Sequence, residues 1–387
     1  MSFGNVKAFG GESMGHERDD LIFVLSSEVG EIGGGAKSTR LLCEALRRIG
    51  KRVKLFVTLS PDLATRQTLE AQNIEVVLPC INKGWRWAIP QRVNAFQLFL
   101  QALFTRPTLI HSCGLSAEAK YLLHLPSTAP IYLWENTEAL PHVKFVDKRI
   151  HKHLHKATTV LAPSNQIANN IRATYAYKGQ IKLLPLWADQ PNVKCTFASH
   201  TRTNELLYLG RFDSDKGIKH LFEAFRLIQP MCPDATLSIY GDGDIELVRR
   251  LGGDNPGVQI CGPVIGERLE EVINHCDALV LPSLHEGYPL SLLEACARHK
   301  PVITTTVGSI PEVFARRACA LLVPPGDTDA LSKAMAKILS EDDAVYIDRC
   351  SDAIKLFEEI NSTSSIHQLL LEVYELPAVR GHIQAAR

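Results

Sequence analysis

Residues 283–300 read SLHEGYPLSLLEACARHK, directly after the short apolar run ALVLP. An apolar run of that length, bounded by turn residues, reads as a buried strand. Pro289 suits the first position of a helix, so a helix is expected from near Leu290. Glu294 then falls one turn inside on the face of Leu290, while Glu286 stays in the loop. Backbone N–H groups near Tyr288–Ser291, Pro289 itself having none, would point out of the helix start toward an anion. A carboxylate only accepts hydrogen bonds, which suits Glu286 and Glu294 to holding hydroxyl groups. A capped surface helix with a solvated glutamate is the plain alternative, and for Glu294 alone it is the better one. About seventy residues upstream, YLGRFDSDKG (208–217) repeats the strand–loop–helix grammar. Gly210 allows a tight exit from the strand, and Arg211 and Lys216 then share one loop ahead of a helix, a natural anion clamp. A solvated turn with incidental charges is equally open for that loop taken by itself.

Working outward, β-branched runs alternate with segments of helical period on both sides of residue 200. LIFVLS (21–26), KRVKLFVTL, IEVVLPC, TLIHS, PIYLW and TTVLAPS read as one series of strands. ELLYLGRF, ATLSIYG, VQICG, ALVLPS, PVITT and ALLVPP read as a second. Such alternation specifies parallel sheets with helices on both faces, an α/β class built here as two Rossmann-like domains. The expected organisation is a mobile tail over 1–18, an N-terminal domain over 19–190 and a C-terminal domain over 191–365. A last helix in 366–387 would return toward the N-terminal domain, and PLWADQPNVKCTFASHTRTN (185–204) would be the link. Ligands of such sheets bind beyond the carboxyl ends of strands.

The 387 residues are 45% apolar and 22% charged, with 42 basic and 42 acidic side chains. A net charge of zero gives no support to nucleic-acid binding. Ten cysteines, none closer to another than the fifteen residues between Cys261 and Cys276, exclude C-x-x-C redox and zinc patterns and suit reduced, buried thiols. No secretory signal or spanning segment is visible, so a cytoplasmic protein with at most peripheral membrane contact is expected. Neither half shows G-x-G-x-x-G after its first strand, which makes a nicotinamide dehydrogenase the least suitable reading.

The pattern E-G-x-P-x-x-x-x-E at 286–294, with G-R-x-x-x-x-K-G at 210–217, resembles the retaining glycosyltransferases of family four, which have the GT-B fold. KPVITTTVGSIPEVF (300–314) and LLVPPGDTDALSKAM (321–335) resemble the segments that follow in that family. The resemblance is strong over 205–335 and looser over 21–185. It implies two domains facing a central cleft and a nucleotide-sugar donor. It also implies a hydroxyl or sugar-containing acceptor, and neither a cofactor nor an essential metal. It implies that Arg211 and Lys216 hold the donor diphosphate and that Glu294 binds the ribose. Glu286 would meet the sugar hydroxyls, with Gly287, Tyr288, Pro289 and Leu290 nearby, while Pro263 and Val264 pack the base. A sugar-nucleotide epimerase on the same scaffold, or a catalytically weak sugar-nucleotide-binding protein, remains as an alternative.

GEIGGGAKS (30–38) fails as a P-loop, because a lysine at 37 requires glycine at 31 and 36, where the chain has Glu31 and Ala36. In the family the first strand leads into a glycine-rich loop at the cleft, so Gly33, Gly34 and Gly35 are expected to let backbone approach the donor where a Cβ would clash. The family often shows His-x-His after the strand TLIHS, but here the residues are His111, Ser112 and Cys113. His111 is a candidate for orienting a hydroxyl, with a core-packed histidine as the alternative. Glu135 and Asn136 are candidates for acceptor or sugar contact. Two D-x-D pairs, Asp213/Asp215 and Asp242/Asp244, are read as turn residues rather than metal ligands. His151, His153 and His155 are read as a solvated basic face. VNAFQLFLQALF (93–104) is expected to be a core helix, and the tryptophans at 85 and 87 are left between an acceptor lip and a loop.

Overall fold

The computed structural model describes residues 20–31, 33–79, 88–114, 129–135, 154–191 and 202–376. Seven strands form the first sheet: β1 (Leu21–Ser26), β2 (Arg52–Val57), β3 (Ile74–Val77), β4 (Leu109–Cys113), β5 (Ile131–Trp134), β6 (Thr159–Ala162) and β7 (Ile181–Leu183). Six form the second: β8 (Glu205–Leu209), β9 (Thr236–Tyr240), β10 (Val258–Ile260), β11 (Ala278–Leu281), β12 (Val302–Thr305) and β13 (Ala320–Val323). The orders are 3-2-1-4-5-6-7 and 10-9-8-11-12-13, and the pairings are parallel. All six residues of β1 are buried, which is why a strand covered on both faces reads as an apolar run instead of an alternating one. The three-residue β7 is too short to stand out in the sequence.

In each sheet the order reverses once, between β1 and β4 and between β8 and β11. Chains leaving such neighbours run to opposite faces and open a crevice at the carboxyl ends of the strands. The glycine-rich loop leaves β1 for the helix Gly34–Arg48. The Arg211–Lys216 loop leaves β8 for the helix Ile218–Ile228, and the Glu286 loop leaves β11 for the helix Leu290–Cys296. The topology alone therefore brings these loops to the crevices.

The helix Asp343–Asn361 ends beside the link, where the Asn361 amide pairs with the backbone of Ala188. The last described helix, Thr363–Val373, starts two residues inside the expected 365/366 boundary. It returns to the N-terminal domain, where Lys182 Nζ donates to the Val373 carbonyl at 2.8 Å and to Glu375 at 2.7 Å. The Glu312 carboxylate of the C-terminal domain accepts the amides of Asn165 (2.9 Å) and Gln166 (2.5 Å), a negative charge at the start of the helix Asn165–Tyr175. The expected core helix at 93–104 is only half one. Within the helix Ala88–Thr105, Leu98 is buried while Phe96, Leu103 and Phe104 are exposed. The expected tail at 1–18, Asn136, His151, His153 and the tryptophans at 85 and 87 lie outside the described residues.

Candidate active site

Lys216 is aimed by three local devices. The Asp213 carboxylate accepts the amides of Asp215 (3.0 Å) and Lys216 (3.1 Å), closing a 3₁₀ turn over Ser214–Lys216. Gly217 follows at φ +66, and a Cβ there would lie 1.9 Å from the Pro282 carbonyl. The Asp215 carbonyl accepts the amides of Leu284 (2.7 Å) and His285 (3.2 Å), which ties the Lys216 loop to the Glu286 loop. Lys216 Nζ then donates to Glu286 Oε2 at 2.5 Å, with the Ser283 hydroxyl 3.3 Å from the same oxygen. Arg211 starts its loop beside Asp213 (3.1 Å), and its carbonyl accepts the buried Tyr208 hydroxyl at 2.6 Å.

The Glu286 loop is fixed from β12 as well. Thr305 Oγ1 donates to the Ser283 carbonyl at 2.6 Å, and the Ser309 hydroxyl donates to the Gly287 carbonyl at 2.5 Å. Pro289 is the cap residue rather than the first helical residue, and the helix begins at Leu290. Glu294 is buried, not solvated, and Arg298 Nη1 donates to its carbonyl at 2.7 Å.

Gly33, Gly34, Gly210, Arg211, Lys216, Val264, Glu286, Tyr288, Pro289, Leu290 and Glu294 line one cleft between the domains, together with Pro263. Gly35 and Gly287 do not line it, although Gly287 holds the loop through Ser309. Gly33 needs its φ of +87, but a Cβ at Gly34 would meet nothing within 4 Å, so a side chain there would clash only with a ligand. The sequence reading missed Glu31, Lys37, Tyr240, Gly241, Asp242, Leu269 and Leu281, which also line the cleft. The usable signal was position: Tyr240, Gly241 and Asp242 sit at the carboxyl end of β9, next to the reversal point. The D-x-D aspartates have other work. Asp213 caps the Lys216 turn, and Asp244 caps the helix Ile245–Gly252 through the Leu247 amide at 2.9 Å.

His111 is not in the cleft. It lies on β4 at 0% exposure, edge-on to Trp134, with Nδ1 2.8 Å from the Tyr374 hydroxyl. Its Nε2 has no hydrogen-bond partner among the described residues. Of the two readings, the core histidine is the one the structure supports, because the strand directs this side chain into the packing beneath the C-terminal segment. Glu135, directly after β5, is 2% exposed and also outside the lining of the cleft. Burial pushes the His111 pKa down to about 3. An unfolded histidine titrates near ~6.5. The unfolded chain therefore takes up a proton that the folded chain refuses, and stability is lost as pH falls below about 6.5. The melting temperature is expected to drop between pH 6.5 and 5, and His111→Phe is expected to blunt that drop without lowering transfer. An unchanged pH dependence in the variant would remove His111 as its source.

Residues 32–189 match the family described as Glycosyltransferase Family 4, and residues 203–341 match that described as Glycosyl transferases group 1. The chain belongs to the family-four, group 1 glycosyltransferases. Among curated members of these transferases it is 25% identical over 276 residues to the putative teichuronic acid biosynthesis glycosyltransferase TuaC of Bacillus subtilis, covering 65% of this chain and 67% of that one. It is 28% identical over 181 residues to phosphatidyl-myo-inositol mannosyltransferase of Mycolicibacterium smegmatis, covering 46% of each. It spans 40% of the uncharacterized glycosyltransferase MJ1607 of Methanocaldococcus jannaschii. Among solved structures, sucrose-phosphate synthase of Thermosynechococcus elongatus superposes with TM-score 0.74 at 21% identity, over 92% of this chain and 98% of that chain. HepE of Anabaena, in complex with UDP-glucose, superposes with TM-score 0.72 at 16% identity, over 92% and 99%. The fold is GT-B, two Rossmann-like domains with parallel sheets facing a cleft.

Proposed function

We propose that the chain is a retaining, metal-independent glycosyltransferase that moves a hexose-type sugar from a UDP- or GDP-linked donor to an acceptor hydroxyl. The observation that carries this reading is the meeting of two cations, Arg211 and Lys216, and two carboxylates, Glu286 and Glu294, on the wall of one interdomain cleft. Arg211 and Lys216 hold the donor diphosphate and stabilise the charge that grows on it as the sugar leaves. Glu294 binds the ribose, Val264 and Pro263 pack the base, and Glu286 accepts from sugar hydroxyls. The acceptor attacks from the face the diphosphate vacates, and the departing phosphate takes its proton. Closure of the two walls excludes water that would otherwise hydrolyse the donor. Among the described residues, no helix is long and apolar enough to cross a membrane. The acceptor is a sugar-containing or other hydroxyl compound, as in glycan, glycolipid or glycosylated-metabolite synthesis in the cytoplasm.

Thermal stability measured against UDP, GDP, ADP and their sugar conjugates, with and without EDTA, tests the donor site. A ligand at a hundred times its Kd stabilises the folded state by about 2.7 kcal/mol. One nucleotide is expected to stand out equally with and without EDTA. No response to any of them would remove the donor assignment, and a response lost in EDTA would return the aspartate pairs as metal ligands.

A further inference from the structure

Neither the failed P-loop pattern nor the family resemblance gives Lys37 a role. It projects from the helix Gly34–Arg48 of the N-terminal domain, and its ammonium donates across the cleft to Glu294 Oε1 at 2.5 Å. Both side chains are largely shielded from water, at 12% and 8% exposure, so salt screens their attraction little. Glu294 is the carboxylate read above as the ribose ligand. A cis-diol that donates two hydrogen bonds uses both carboxylate oxygens, and Lys37 competes for one of them. The enclosed part of the cleft is about 210 Å³, below the ~300–1,000 Å³ of ordinary ligand sites. A nucleotide that enters between the walls therefore competes with this bridge.

A shielded ammonium left without its anion is costly. Glu31, the nearest cleft-lining carboxylate in sequence, is committed to Arg40 at 2.9 Å. The new negative charge that enters with a nucleotide is its diphosphate, which already faces Arg211 and Lys216 on the other wall. We infer that Lys37 exchanges partners, holding Glu294 until a donor binds and moving to the donor diphosphate when ribose takes Glu294. The N-terminal domain thereby supplies a third cation to the diphosphate, and occupancy of the donor site is coupled to how the two walls meet. This inference rests on the donor site proposed above.

The exchange makes Lys37 help a diphosphate and hinder a bare nucleoside, which competes for Glu294 with nothing to offer the ammonium. Equilibrium titration of the full chain with UDP and uridine, and with GDP and guanosine, separates these effects in wild type, Lys37→Met, Lys37→Gln and Lys37→Arg. The expected result is at least a tenfold weaker diphosphate in Lys37→Met and Lys37→Gln, with the matching nucleoside bound as well as before or more tightly. Lys37→Arg keeps the diphosphate within a few fold of wild type. Equal changes for nucleoside and diphosphate, or no loss of the diphosphate, would overturn the inference, leaving Lys37 on Glu294. A wild type that binds no nucleoside diphosphate would overturn the donor reading itself, and this inference with it.

Discussion

Replacing Glu286 or Lys216 with alanine is expected to lower sugar transfer by about 10²- to 10³-fold, the usual cost of one preorganised transition-state contact. In the proposed reaction Lys216 acts mainly once charge has moved onto the departing diphosphate, so its loss is expected in kcat more than in KM. Glu286 both holds Lys216 at 2.5 Å and lines the cleft, where the proposed reading sets it against the sugar. The two residues therefore act as one unit, and the double variant should lose less than the product of the single losses. Neither side chain sits in the apolar core, so circular dichroism and a melt should report an intact fold in both variants. Turnover near wild type in either one would sink the assignment of this pair.

Much of the fold was legible because its strands are buried on both faces. LIFVLS and ALVL announce themselves as apolar runs whatever they pair with. The clamp was legible for a different reason. Arg211 and Lys216 share one loop, and Glu286 and Glu294 flank one helix start, so their chemistry is carried by local spacing. What stayed hidden depends on distant partners. Lys37 gains meaning only from Glu294, 257 residues away, and reads by itself as the remnant of a failed P-loop. His111 is decided by Tyr374, 263 residues away, whose hydroxyl and ring cover it. Local pattern also misjudged the helix at 88–105, whose apolar stripe is wider than the surface it buries.

Gly308→Ala is expected to damage stability and transfer together, although residue 308 does not line the cleft. Gly308 has φ +55, and a Cβ there would lie 1.7 Å from the Glu286 carbonyl oxygen and 2.8 Å from its carbon. Both atoms are backbone, so no side-chain rotation relieves the contact. Either the β12 turn or the Glu286 loop has to move. The next residue, Ser309, holds the Gly287 carbonyl through its amide (3.1 Å) and hydroxyl (2.5 Å), so displacing the turn releases the loop as well. A shift of about 1 Å in a catalytic loop is enough for a loss on the order of 100-fold. Gly253 supplies the control. It has φ +59 with ψ −153, a backbone conformation that side chains rarely adopt, but a Cβ there meets nothing within 4 Å. Gly253→Ala should cost backbone strain alone, on the order of 1–3 kcal/mol, with transfer unchanged. Melts and initial rates for the two variants separate strain from collision. If Gly308→Ala matched Gly253→Ala in both, the β12 turn would have room to yield, and the Glu286 loop would owe its position to the Asp215 and Thr305 contacts alone.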